Sequence, residues 1–229
     1  MRYLAINLCL CALCLGFCLD AINISPTVIA PEQLHIVLDA GHGGRDNGAC
    51  VGCVSEAELN LQIVKVLAQE LQNHGCAVSL TRVDGESLSS PYASNKKVDD
   101  MAKRREKIRN LNPDLVISIH QNTYPAESVN GLQCFFANET AGSKEYATAI
   151  QNQFNQSGLP FSKTPKPTDF NLVEHSPCPA VLIECGFLTN PQERELLQSN
   201  TYQQILAYHI ATAVVQEYSR QHTTEACTN

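Results

Sequence analysis

The chain has 229 residues, no Trp and a formal net charge of −7 at neutral pH. That length suits one large α/β domain with a sizeable core rather than two complete domains. The acidic balance argues against a polyanion-binding face, so nucleic acid is not expected as a partner.

The first twenty residues read as an export signal. Arg2 supplies a minimal charged start, Leu4 to Leu19 run without a charge, and Asp20 ends the run. This fits a cleaved signal peptide or an uncleaved signal anchor; a buried first helix is the bland alternative. Val28-Ile29-Ala30 has small residues where cleavage would need them, but Pro31 follows. Export places the expected location outside the cytoplasm, with membrane contact only through the leader. Residues 21–33, with Ser25-Pro26 and Ala30-Pro31, read as a linker.

From residue 34 the pattern alternates between strands and helices. Ile36-Val37-Leu38 is a short apolar run closed by Gly41, hence a buried strand. Glu56 to Asn73 is a helix stopped by Gly75, and Cys76 to Thr81 alternates as a strand does. Val83 to Lys96 is a polar loop with Gly85 and Pro91. Lys97 to Arg109 is a charged helix closed by Asn112-Pro113. Leu115 to Ile119 and Leu132 to Phe136 are strands, and Ser143 to Gln156 is a helix stopped by Gly158. A Pro- and Lys-rich loop covers roughly 158–170, Ala180 to Ile183 is a last buried strand, and Tyr202 to Tyr218 closes the fold as a helix. Such alternation implies an α/β fold, a mostly parallel twisted sheet with helices on both faces, in one domain over 34–219. Residues 220–229 read as a flexible tail.

Of 11 cysteines, four lie in the leader. An odd remainder scattered through a domain of this size does not form a disulfide framework, and several sit in strand patterns where Cys acts as a small hydrophobe. Cys50-Val51-Gly52-Cys53 is open to three readings: a redox clasp, a stray metal site or a pair of small space-fillers. The filler reading is preferred, because two thiols are too few for a closed structural zinc site and no βαβ unit surrounds them.

Three ionisable residues follow buried strands. His42 sits among Gly41, Gly43 and Gly44 after the first strand, His120 follows Leu115 to Ile119, and Glu184 follows Ala180 to Ile183. Ligands bind at that edge of open α/β sheets. Any one of them alone reads as a satisfied loop residue or a helix cap; the three together point to a site. Helix geometry adds a fourth. Leu59, Ile63, Val66 and Leu67 mark the inward stripe of the first long helix, and Glu56 points to that side while Glu58 joins the wet face. Its alternative role is a charge favouring the helix dipole. Two imidazoles and a carboxylate make a catalytic-type zinc set, and a further carboxylate serves as base. On this reading His42, Glu56 and His120 are ligands to Zn2+ and Glu184 is the base. His175, His209 and His74 fit less well: one precedes its strand, one lies in the closing helix, and one sits at a helix end.

Four segments, Leu38 to Gly44, Ser55 to Leu61, Ser118 to Asn122 and Val181 to Asn190, together resemble the zinc N-acetylmuramoyl-L-alanine amidases, in the family's order and over roughly residues 34–219. The resemblance implies hydrolysis of the amide between the lactyl group of muramic acid and the first L-alanine of a peptidoglycan stem peptide. It gives His42, Glu56 and His120 the zinc-ligand roles and Glu184 the catalytic role. Thr81-Arg82 and Asn122 match further family positions, and Arg82 and Asn122 would hold the site or the substrate. The segment from Val83 to Arg105 looks like the spore-cortex branch, whose enzymes strip stem peptides for a partner polysaccharide deacetylase. There is little room between His120 and Glu184 for the inhibitory helix of septal amidases, and no separate wall-binding module is seen. A cell-wall carboxypeptidase and a non-catalytic wall-binding or activator protein are the competing readings.

Overall fold

The computed structural model describes residues 34–138, 140–157 and 164–226. The expected leader, the linker and the last three residues lie outside that set. Among the described residues no helix is long and apolar enough to cross a membrane.

Strands β1 (His35–Ala40), β4 (Ala77–Leu80), β5 (Leu115–Asn122), β6 (Gln133–Ala137), β7 (Lys166–Thr168) and β8 (Ala180–Phe187) form one sheet in the order β4-β1-β5-β8-β6-β7. The first four in that order run parallel; β6 runs against β8, and β7 runs parallel to β6. The α/β, mostly parallel architecture expected from the sequence is therefore present. Strands β2 (Cys50–Val51) and β3 (Val54–Ser55) make a separate hairpin.

Helices α1 (Glu56–Asn73), α3 (Ser143–Gln156) and α6 (Asn200–Ala226) cover one face through the larger core cluster, which takes Ile36 and Leu38, Ile117 and Ile119, and Val181 and Ile183. Burying Ile63, Leu67 and Leu71 of α1, all without solvent exposure, is worth about 2 kcal/mol each. Helix α2 (Lys96–Leu111) and the short α4 (Asn171–Glu174) cover the other face over Val37, Val116, Ala180 and Leu182. Successive strand residues point to opposite faces, so this second set also fixes where Asp39, Ser118, His120 and Glu184 point. The chain leaves β1 through α1 to reach β4 on one side, then returns through α2 to reach β5 on the other. The crevice between the carboxyl ends of β1 and β5 is thus the topological switch point.

Helix bounds match expectation closely because caps and breakers are explicit. Asn95 caps α2 by accepting from the Val98 N–H at 3.2 Å, and Asn112 ends it in the left-handed conformation (φ 43°) before Pro113. Two strands run further than the apolar runs suggested: β5 continues through His120 to Asn122, and β8 through Glu184 to Phe187. Backbone pairing does not stop where side chains turn polar, so His120 and Glu184 lie within their strands rather than after them. The tail expected from about Arg220 instead prolongs α6 to Ala226. That stretch has no Gly or Pro; Arg220 pairs with Glu217, and the Ser219 and Thr223 hydroxyls donate to carbonyls one turn back. Helix α5 (Pro191–Leu197), α4, β7 and the β2–β3 hairpin are too short to show a periodicity and were not expected.

Candidate metal centre and active site

The site is built on the switch-point crevice. Beyond β1 the chain turns at Gly41, and His42 takes a left-handed backbone (φ 63°), uncommon for a residue with a side chain. Two buried arginines hold this turn. Arg82 donates to the carbonyls of Ala40 (2.9 Å), Gly41 (3.0 Å) and Ala57 (2.7 Å), and Arg104 donates to the carbonyls of Ala40 and His42. Arg104 also pairs with Asp39 (2.7 Å) and Asp100 (2.8 Å). Asp39 accepts from the Thr81 and Ser118 hydroxyls, each at 2.7 Å. Burial pushes the Asp39 carboxyl up, but the Arg104 charge and the donated bonds outweigh it and hold it below its ordinary range.

Glu56 is the first residue of α1 and is buried. The hairpin seats it: the Glu56 N–H donates to the Ala49 carbonyl at 2.9 Å, and the Ala49 N–H donates back to Glu56 Oε2 at 2.8 Å. Its Oε1 is the meeting point of the site. His42 Nε2 lies 3.2 Å from it and His120 Nδ1 3.0 Å, while the Gln121 N–H donates to it at 3.2 Å. Asn60, one turn further along α1, donates to it at 3.4 Å and to the Gly41 carbonyl at 3.2 Å. Burial raises the Glu56 carboxyl, yet His120 and His42 outweigh this and place it far below the ordinary range. Burial lowers His42, but Glu56 and Asp46 raise it above its ordinary value.

One donor atom each from His42, Glu56 and His120 lie within 4.8 Å of one another, the only such group of three among the described residues. Two neutral imidazoles and one carboxylate converging in this way can hold a divalent cation of the zinc type. Asp46 Oδ2 lies 3.0 Å from His42 Nδ1, which leaves Nε2 facing the cluster. The His42 and His120 rings meet edge to face with centroids 5.1 Å apart, and the Phe170 and His120 ring centroids lie 5.4 Å apart. Two glycines make the approach possible. A Cβ on Gly41 would stand 2.3 Å from the His120 ring, and one on Gly48 would stand 2.5 Å from Glu56 Oε2. Gly48 also has φ +64°.

Glu184 faces His120 across the parallel ladder as its Cα partner. Its Oε2 is buried and makes no hydrogen bond. Burial and the Glu56 charge push its carboxyl up, His120 and His42 pull it back, and it comes to about 7. A carboxylate in this condition can exchange a proton near neutral pH. Asn122 lies two residues past His120, beyond a bulge in the ladder; its Oδ1 accepts from the Thr123 N–H at 2.8 Å. Asn122 and Arg82 are not in the metal cluster. His74 is buried near Glu70, His209 lies beside Gln153, and His175 ends α4 exposed, all outside the cluster.

The supports Asp46, Asn60, Asp39 and Arg104 were not singled out as functional from the sequence. Only Asn60 had a readable signal, lying one turn after Glu56. Cys50 and Cys53 are both exposed on the hairpin, so they fill no space, contrary to the preferred expectation. A two-residue strand on the surface has no interior to fill.

A family model described as N-acetylmuramoyl-L-alanine amidase matches residues 36–216. The chain is 30% identical over 190 residues to a germination-specific N-acetylmuramoyl-L-alanine amidase of Bacillus subtilis, covering 81% of this chain and 80% of that protein. Among solved structures it is similar to the CwlD amidase from Clostridioides difficile in complex with the GerS lipoprotein, at 34% identity and TM-score 0.78, covering 82% of this chain and 99% of that one. An N-acetylmuramoyl-L-alanine amidase from Clostridium difficile 630 matches at 29% identity and TM-score 0.74, over 82% of this chain and 98% of that one.

Proposed function

The chain belongs to the N-acetylmuramoyl-L-alanine amidase family, and from that membership we propose that it is a zinc enzyme whose residues His42, Glu56 and His120 hold the metal and whose base is Glu184. The bond cut is the amide between the lactyl group of N-acetylmuramic acid and the L-alanine of a peptidoglycan stem. The observation that carries this reading is the convergence of both imidazoles on Glu56 Oε1, at 3.2 and 3.0 Å, with Glu184 paired to His120 in the adjoining strand.

Zinc in this set supplies a Lewis acid that polarises a carbonyl and makes water more acidic. The protein does the rest. Glu184 takes a proton from the attacking water and hands it to the departing alanine nitrogen. Asp46, at the far nitrogen of the His42 ring, keeps that imidazole in one tautomer. Arg82 acts on the site through the backbone, gripping the carbonyls of Ala40 and Gly41. Asn122 stands on the rim, where its side-chain amide can meet the substrate.

The catalytic unit is residues 34–219, exported behind the leader at 1–20 and working outside the cytoplasm. The 30% identity to a germination-specific amidase supports a role in spore-cortex maturation, upstream of a polysaccharide deacetylase acting on the same strand. Digestion of intact vegetative and spore-cortex peptidoglycan with mass analysis of the products tests the reading. Whole stem peptides with a new L-alanine amino terminus are expected. Release of single amino acids would instead identify a carboxypeptidase, and no release a silent binder.

A further inference from the structure

Glu56, His42 and His120 come from three separate elements: the start of α1, the turn after β1 and strand β5. One pair of buried side-chain amides joins all three. Asn60, on α1 one turn past Glu56, has no solvent exposure, and Gln121, next to His120 on β5, is 3% exposed.

Asn60 Nδ2 meets two acceptors, the Gly41 carbonyl at 3.2 Å and Glu56 Oε1 at 3.4 Å. Asn60 Oδ1 accepts from Gln121 Nε2 at 3.1 Å, while the Gln121 backbone N–H donates to Glu56 Oε1 at 3.2 Å. Each link fixes the sense of the next. Two acceptors can be served only by the amide nitrogen of Asn60, so its oxygen must face Gln121, and Gln121 must present its nitrogen. The reverse setting of either amide would bring two oxygens together.

This polarity leaves Gln121 Oε1 buried and without a hydrogen-bond partner among the described residues. A buried acceptor left bare opposes folding, and an apolar side chain at 121 would avoid that loss. A pair of amides that gives up stability beside three converging ligand atoms calls for a reason other than stability.

We infer that Asn60 is a positioning residue for the metal and that Gln121 acts through it. Asn60 holds the Glu56 carboxylate by its Oε1 and, through the Gly41 carbonyl, steadies the turn that presents His42. Gln121 locks that amide from the strand that presents His120. The three donor atoms are thereby set before a cation arrives, so binding it orders fewer side chains. The inference rests on the reading of His42, Glu56 and His120 as zinc ligands and goes beyond it by assigning what sets their affinity.

The test is the zinc affinity of the full chain, measured by competition with a chromogenic chelator across a double-mutant cycle. Asn60→Leu should weaken zinc binding about tenfold or more, the scale on which outer partners of metal ligands act. Gln121→Met removes one neutral hydrogen bond and should weaken it about three- to tenfold. Because Gln121 acts through Asn60, adding Gln121→Met to Asn60→Leu should bring no further loss. Cleavage lost at limiting zinc should return as zinc is raised. Side chains that only supported the fold would lower the melting temperature of the metal-free chain and leave zinc affinity alone. Unchanged affinity in Asn60→Leu, losses that multiply in the double variant, or cleavage that excess zinc does not restore overturns the inference and leaves the ligand assignment standing. If Asn60→Leu does not fold, Gln121→Met decides alone, and unchanged affinity there overturns the inference. No zinc binding by the unaltered chain overturns both.

Discussion

His120 and Glu184 are direct partners in the β5–β8 ladder and share a face of the sheet. One supplies a ring to the candidate metal cluster and the other a carboxylate oxygen that makes no hydrogen bond. Rigid backbone pairing, rather than a loop, sets their spacing. Replacing Glu184 with Gln keeps the shape and removes the proposed base. Cleavage should fall by about 10² or more, with zinc content unchanged; loss of zinc in that variant would instead make Glu184 a ligand.

On the proposed role, the same carboxyl should set the acid limb of the pH profile. Burial raises it to about 7, and only the ionised form accepts a proton from water. Activity should therefore be lost as pH falls, with a midpoint at or below about 7, because a bound dication nearby pulls the carboxyl down. A kcat/KM profile that stays level to pH 4 would contradict the assignment.

Metal removal gives a sharper test of the triad. Dialysis against a chelator should abolish cleavage, and zinc should restore it. His42→Ala, Glu56→Gln and His120→Ala should each bind zinc far more weakly, read as metal content after gel filtration. Zinc should raise the melting temperature of the unaltered chain in proportion to the logarithm of its concentration, and should not do so for the variants.

Gly48 and Gly52 provide a matched pair. Both have left-handed backbones, φ +64° and +62°, but a Cβ at Gly48 meets Glu56 and His42, whereas one at Gly52 meets nothing within 4 Å. Alanine at Gly52 should cost only the conformational penalty, about 1 kcal/mol. Alanine at Gly48 should cost more and weaken zinc binding. Equal denaturation midpoints and equal zinc affinity for the two variants would show that the close contact is not needed.

Arg104→Met tests the buried pair with Asp39. Removing one member leaves an uncompensated buried charge, at a cost of about 3–5 kcal/mol at neutral pH. Asp39 is held below its ordinary range when folded, so its contribution is present above the unfolded-state value and is lost as pH falls through the folded value. Urea denaturation should show the gap between variant and parent narrowing toward pH 3. A gap independent of pH would point to lost packing rather than lost charge.

Much of this was legible before the structure. Long helices such as Glu56–Asn73 and Ser143–Gln156 announce themselves through periodicity and breakers, and the inward phase of Glu56 follows from the stripe of Leu59, Ile63 and Leu67. What was not legible depends on tertiary pairing. The strand ends at Asn122 and Phe187 follow from hydrogen bonding that carries no hydrophobic signature. The role of Arg104 was hidden because a charged helix read from sequence alone looks solvated, and nothing local says that one of its arginines turns inward to meet Asp39. The exposure of Cys50 and Cys53 is equally non-local: a C-x-x-C carries no mark of whether the segment around it is covered.

Ser55 closes the hairpin and Glu56 opens α1 with nothing between them. An inserted residue at that junction would rotate the carboxylate about 100° around the helix axis and aim it away from both rings. An insertion at the hairpin tip, where Gly52 stands in open space, leaves the angular phase of α1 untouched. Length variation in this stretch is thus permitted at the tip and forbidden at its base, which makes the tip the place to graft a tag or a fluorophore without disturbing the chemistry.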